Sequence, residues 1–165
     1  MKMPANQLIA FLTEIGRQQQ YMQDFWVPFA LEWARWENTT ANFNPLACTD
    51  SSLPSTTFNS DGVREFATFE DGITATIRTL DPSSHYSSFT DYYPAIRAAA
   101  FLGGIDKVNR VAVAAQIRKW GTIDFASLIE NGWNPTFTAP APASPPAPDD
   151  LNRSEERRVG KECRL

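Results

Sequence analysis

The sequence predicts an all-α domain over residues 4–134, and three observations carry that expectation. Apolar residues recur at the three- and four-residue spacing of a helix face in one segment after another. Most of these segments have a helix-starting residue such as Thr or Asp in front and a stop such as Gly or Pro behind. No stretch alternates apolar and polar residues convincingly, as a half-buried strand would. Hydrophobic residues form 42% of the chain and aromatics 12%, enough for a core and too much for disorder throughout.

The elements follow in order. Residues 6–15 place Leu8, Ile9, Phe11, Leu12 and Ile15 on one helix face. Pro28 suits the first turn of a helix running to about Glu37, with Phe29, Trp33 and Trp36 on one side. Residues 38–67 are rich in Asn, Thr, Ser and Asp and read as a loop. Thr68-Phe-Glu-Asp71 fits a capping box for a helix to about Leu80, which Asp81-Pro82 stops. Asp91 can cap residues 92–102, closed by Gly103-Gly104. Asp106 can cap residues 107–119, closed by Gly121, and Asp124 can cap residues 125–131, closed by Gly132. The result is a compact six-helix domain with one long polar loop and no internal repeat.

Beyond the domain the composition changes. Residues 138–148 read Thr-Ala-Pro-Ala-Pro-Ala-Ser-Pro-Pro-Ala-Pro, so residues 135–152 are expected to form a semi-rigid Pro/Ala linker. A linker implies a further module, and a missing C-terminal one is expected; a genuine Pro-rich tail is the alternative. Residues 153–165 are expected to be an artefact. Twelve consecutive residues from Arg153 to Arg164 resemble a common sequencing adapter read as codons, against the alternative of a charged helical tail.

That segment holds five basic and three acidic residues. Without it the chain has 10 Lys and Arg against 16 Asp and Glu, a net charge of −6 rather than −4. So acidic a domain is unsuited to gripping a nucleic-acid backbone, and no nucleic-acid partner is expected. The apolar runs, such as residues 111–115, are far too short to cross a bilayer. The N-terminus leads into an amphipathic segment and lacks a signal peptide's apolar stretch, so synthesis in the cytoplasm is expected. With the tail set aside, Cys48 is the lone cysteine, which gives neither an internal disulfide nor a metal cluster. Neither a metal nor a cofactor is expected.

The loop at 38–67 is where function is expected. Unstructured loops near 30 residues are uncommon in compact domains unless they bind or cover something. It follows Trp33-Ala-Arg-Trp-Glu37 and contains Asn44-Pro45-Leu46 and Phe58-Asn-Ser-Asp-Gly-Val63. Downstream come Gly72-Ile-Thr-Ala-Thr-Ile-Arg-Thr-Leu80, Tyr93 with Ile96, and Trp120-Gly121-Thr122. This ordered set, spanning residues 25–122, resembles the lysozyme-like domains of actinobacterial phages and their hosts, related to goose-type lysozymes and lytic transglycosylases.

The resemblance implies a compact lysozyme-like fold and cleavage of peptidoglycan glycan strands, with Glu37 as the catalytic residue. A phage endolysin, acting at the cell wall after release, or a component of the phage particle, fits the missing signal peptide. The position of Glu37 suits an acid. A group that protonates a glycosidic oxygen must keep its proton near neutral pH. Burial against Trp33, Trp36 or Phe43 and the negative end of a helix both disfavour its carboxylate. A solvated last-turn glutamate is the plain alternative. Asn44, Thr57, Asn59 and Ser60 offer hydrogen bonds to sugar hydroxyl and acetamido groups, Gly62 allows close backbone approach, and Tyr93 offers a flat surface.

Many glycosidases pair two carboxylates, and Asp61, Glu65, Glu70 and Asp71 are the candidates for a second. The related families work with one glutamate and the substrate's own acetamido group. They often carry Gly after that glutamate, where this chain has Asn38-Thr39, and Thr or Asn where it has Ala47-Cys48. Two rival readings stand beside this one. Cys48 and His85 have the chemistry of a thiol nucleophile and its base, although a buried thiol and a surface turn suit them better. A non-catalytic cell-wall-binding or virion structural module with the same fold is the other. Residues beyond Pro135 offer little apolar surface to repay their ordering. Truncation after Pro135 is therefore expected to leave the melting temperature unchanged in a thermal scan; a loss of several degrees would make the tail part of the folded unit.

Overall fold

A computed structural model of the chain describes residues 3–81 and 93–136. The described residues are mostly helical, with six α-helices and one two-stranded hairpin. The helices are α1 (Ala5–Gln18), α2 (Gln23–Glu37), α3 (Phe69–Leu80), α4 (Pro94–Leu102), α5 (Arg110–Trp120) and α6 (Ile123–Glu130). Asp91, Tyr92, His85, residues 137–152 of the expected linker and the adapter-like residues lie outside the described residues. No described helix is long and apolar enough to cross a membrane.

The core is built along α2, whose Phe25, Trp26, Phe29, Ala30 and Trp33 are all buried. Phe29 stacks on Phe25 with ring centres 5.3 Å apart and tilts against Phe125 of α6 at 5.5 Å. Trp33 meets Trp120 of α5 edge-on at 4.8 Å, and Trp120 meets Tyr93 at 5.1 Å. On the other side Trp26 donates its indole N–H to the Leu12 carbonyl of α1 at 2.8 Å. Burying one such ring is worth about 2–3 kcal/mol, so this aromatic column outweighs local helix propensity.

That weight explains where α2 begins. Pro28 lies in its interior rather than its first turn, and the helix starts at Gln23. An interior proline forfeits one backbone hydrogen bond. The added turn buries Phe25 and Trp26 and is anchored by the Met22 amide, which donates to Ala100 O at 2.9 Å.

Two other caps differ from expectation. Asn109, not Asp106, caps α5, its Oδ1 accepting from the Val111 and Ala112 amides at 3.0 and 3.3 Å. Asp106 lies in a preceding 3₁₀ turn, Ile105–Lys107, and pairs with Arg110. Thr122, not Asp124, precedes α6, and its side chain makes no cap bond. The start of α4 is closed from a distance, because Gln116 Oε1 on α5 accepts from the Ala95 and Ile96 amides, both at 3.0 Å. The Thr68 cap of α3 forms as expected, accepting from the Asp71 amide at 3.1 Å.

The polar loop is neither strand-free nor loose. Strand β1 (Ser55–Thr57) pairs antiparallel with β2 (Arg64–Phe66), with Ser55 opposite Phe66 and Thr57 opposite Arg64. Three-residue strands carry too few side chains to show alternation, which is why the sequence gives no sign of them. Side-chain ties hold the pair: Arg64 reaches Thr57 Oγ1 at 2.6 Å and Ser55 Oγ at 3.1 Å. The hairpin is stitched to the preceding segment by Phe66 N to Asn42 O at 3.0 Å and Arg64 N to Cys48 O at 3.1 Å.

The loop crosses α3 at Gly72. A Cβ there would lie 2.0 Å from the Phe43 carbonyl oxygen, well inside contact distance, and 3.1 Å from Phe11. Phe43 itself has φ +48°, a strained left-handed conformation for a bulky residue. Gly72→Ala would gain helix propensity yet must push the loop backbone off the helix. We expect a net loss of about 3 kcal/mol, at the upper end for overpacking. A thermal or denaturant melt checks this, and an unchanged or raised midpoint would show that the loop does not ride on α3.

Candidate active site around Glu37

Glu37 is the last residue of α2, and Asn38 turns the chain out of the helix with φ +46°, its amide bonded to Ala34 O at 3.1 Å. Asn tolerates this left-handed conformation better than most residues, second to Gly. Asn38 therefore does the conformational work that a glycine often does just past a helix end.

Helical side chains lean toward the N-terminus, which brings Glu37 onto Trp33 one turn earlier. The Trp33 indole N–H lies 3.2 Å from Glu37 Oε1 and 3.0 Å from Thr122 Oγ1. The Thr122 hydroxyl in turn donates to Glu37 Oε1. The three side chains close a triangle joining the end of α2 to the start of α6. Gly121, at φ +117°, sets the turn that delivers Thr122.

Glu37 is half-buried, and that loss of water pushes its carboxyl above the ordinary value of 4.5. The bonds from Thr122 and Trp33 favour the carboxylate and pull the other way, without cancelling the effect of burial. Of the three aromatic residues expected to shield it, Trp33 does so. Trp36 is 37% exposed and turns away, its N–H bonded to Glu32 at 2.9 Å and its ring under the Arg35 guanidinium. Phe43 is packed against Phe69.

Cys48 lies on the loop side. It is buried, its Sγ 3.5 Å from Thr76 Oγ1, and burial pushes the thiol up to about 12. The charges of Glu37 and Asp50 add to that shift. So high a value leaves no thiolate at neutral pH and argues against a nucleophile at Cys48. Asp50 went unnoticed in the sequence, hidden among Thr49, Ser51 and Ser52. It is 5% exposed and accepts from the Ser52 amide at 2.9 Å and hydroxyl at 2.6 Å. The Asp-Ser-Ser run is the signature of such a turn and was the available clue.

The expected binding residues divide. Asn44 is fully buried: it donates to Cys48 O at 2.8 Å and Arg64 O at 2.7 Å and accepts from Cys48 N at 2.7 Å. Its amide is spent on the loop, and a polar side chain that satisfies backbone groups inside a loop cannot also serve a ligand. Tyr93 is 2% exposed, wedged against Trp120 with Lys119 over its ring, and so presents no open flat surface. Thr57, Asn59, Ser60 and Gly62 form the far end of the hairpin. Asn59 Oδ1 accepts from the Asp61 and Val63 amides, both at 3.1 Å, Gly62 adopts φ +83°, and Ser60 is exposed.

Among the other carboxylates, Glu65 accepts from the Asn42 amide at 3.2 Å, Asp61 is exposed, and Glu70 and Asp71 sit in the first turn of α3. Trp120, partly buried against the core, donates to Leu46 O at 2.7 Å and so ties α5 to the loop beside the triangle.

No protein-family model, curated protein or solved structure matches this chain.

The raised carboxyl of Glu37 has a consequence for stability. The folded state binds a proton there more tightly than the unfolded state, so this group weakens folding as pH rises from about 4.5 through the raised value, and the loss persists above it. Glu37→Gln stays neutral throughout. Its melting temperature relative to wild type should therefore climb between acid and about pH 8. A gap that stays flat with pH would mean that Glu37 is not held above its ordinary value.

Proposed function

We propose that this chain is a lysozyme-like domain that cleaves the glycan strands of peptidoglycan, with Glu37 as general acid and then base. The observation that carries the reading is the triangle: a glutamate at a helix end, held by Trp33 and Thr122 and kept by burial above the ordinary carboxyl range. Such a group holds a proton closer to neutral pH than a solvated carboxyl does, and the surrounding indole and hydroxyl limit its rotation. The motif set spanning residues 25–122, with its resemblance to goose-type and lytic-transglycosylase-related domains, supports the same reading.

In this reaction Glu37 gives its proton to the glycosidic oxygen as the C1–O bond breaks, and positive charge builds on the sugar ring. The substrate's acetamido group can attack C1 from the opposite face, so a second protein carboxylate is not required. The resulting Glu37 carboxylate then removes a proton from water, or from the sugar's own C6 hydroxyl, as the intermediate collapses. The first route gives a reducing end and the second an anhydro sugar. Exposed Ser60 and the turn around Gly62 are the loop groups suited to contact the strand. A phage lysin or virion-borne enzyme acting at the cell wall is the setting that fits best.

The test is release of soluble glycan from purified cell walls, with mass analysis of the ends. Glu37→Gln should reduce release by at least about 100-fold, the usual span for removing a general acid. Equal release by the two proteins would leave a non-catalytic wall-binding or virion module as the reading of this fold.

A further inference from the structure

Thr122 stands where α6 would ordinarily be capped, yet its side chain bonds no amide of that helix. A threonine cap ordinarily stabilises a helix start, so its absence is a cost that some other contact must offset. That contact is Glu37. Thr122 is only 7% exposed, and Glu37 Oε1 accepts its hydroxyl proton. The Trp33 N–H, a donor only, points between Thr122 Oγ1 and the same Oε1.

We propose that this paired donation fixes the carrier of Glu37's transferable proton as Oε2, and that Thr122 is the positioning residue that enforces it. Two N–H or O–H donors converge on Oε1, which suits a carbonyl-type oxygen. Were Oε1 itself protonated, it would have to donate to Thr122 Oγ1, and the Thr122 proton would be left buried without this acceptor. A stranded buried hydroxyl bears its full desolvation penalty. With Oε2 protonated, each donor of the triangle keeps an acceptor. Oε2 is then the oxygen that can meet a substrate.

Charged groups on the surrounding elements do not impose this choice. On α5, Arg118 is paired with Glu130 of α6 and Lys119 lies over Tyr93. On α6, Asp124 is exposed, and on α2, Glu32 pairs with Arg35. The loop contributes neutral Cys48, with Asp50 bonded to Ser52.

The test reads Glu37 directly. With glutamate carboxyl carbons labelled with ¹³C, infrared difference spectra between Glu37 and Glu37→Gln protein give the C=O stretch of protonated Glu37. We expect a lowered, hydrogen-bonded frequency in wild type, a higher one in Thr122→Val, and recovery in Thr122→Ser. Carboxyl ¹³C NMR titration should show the Glu37 pKa rising in the valine variant and returning in the serine variant. A free-carbonyl frequency for Glu37 with Thr122 intact overturns the proposal, and so does a titration that Thr122→Val leaves unmoved in a folded protein. Its catalytic meaning rests on the function proposed above, where Thr122→Val should lower kcat by about tenfold with KM little changed, as misplacement of a reacting group does. The two claims fail separately: spectra as expected with no glycan release sink the enzyme reading alone, whereas Glu37-dependent release with unmoved spectra sinks the positioning role alone.

Discussion

Trp33 has no exposed surface, so its indole N–H must find an acceptor inside the protein. The acceptors are Thr122 Oγ1 and Glu37 Oε1, and the architecture around them is arranged to bring both within reach. The ring is gripped between Phe29 on its own helix and Trp120 on α5. The N–H is thereby aimed at the end of α2 and the start of α6 together. A polar requirement inside an apolar column thus sets where three helices meet. It also places a carboxyl group in surroundings that favour its proton.

The long loop depends on the same kind of accounting. Asn44 has no solvent, and its amide is satisfied by backbone groups of Cys48 and Arg64. That single side chain joins the loop's entry to the hairpin's second strand. The hairpin is held further by Asn42, and the crossing over α3 is possible only because Gly72 has no side chain. Residues that look suited to a sugar in a list of loop polars are in part the loop's own scaffold. The polar groups left facing solvent around the hairpin include Thr56, Thr57, Ser60 and Asp61.

The two halves meet at Trp120 and Cys48. Trp120 packs on Trp33 and bonds the Leu46 carbonyl, so movement of the loop is coupled to the indole that holds Glu37. Cys48 is buried against Thr76 of α3, and the charges of Glu37 and Asp50 push its thiol further up.

Helical periodicity and stop residues determined most of the helices by themselves. The amphipathic faces of α1 and α3, the Thr68 cap and the Gly103 and Gly121 ends depend on interactions within a few residues, which a sequence displays. Glu37 became a candidate through the resemblance of the motif set, and Trp33 and the helix end, its near neighbours in the chain, only suited that position to an acid. Tertiary structure alone decided the rest. The extension of α2 past Pro28 depends on burying Phe25 and Trp26, and the capping of α4 by Gln116 spans 20 residues. The enlistment of Thr122 spans 85. Asn44 and Asn59 look alike in sequence, yet one is sealed inside and the other closes a surface turn, because burial is a property of packing and not of residue type.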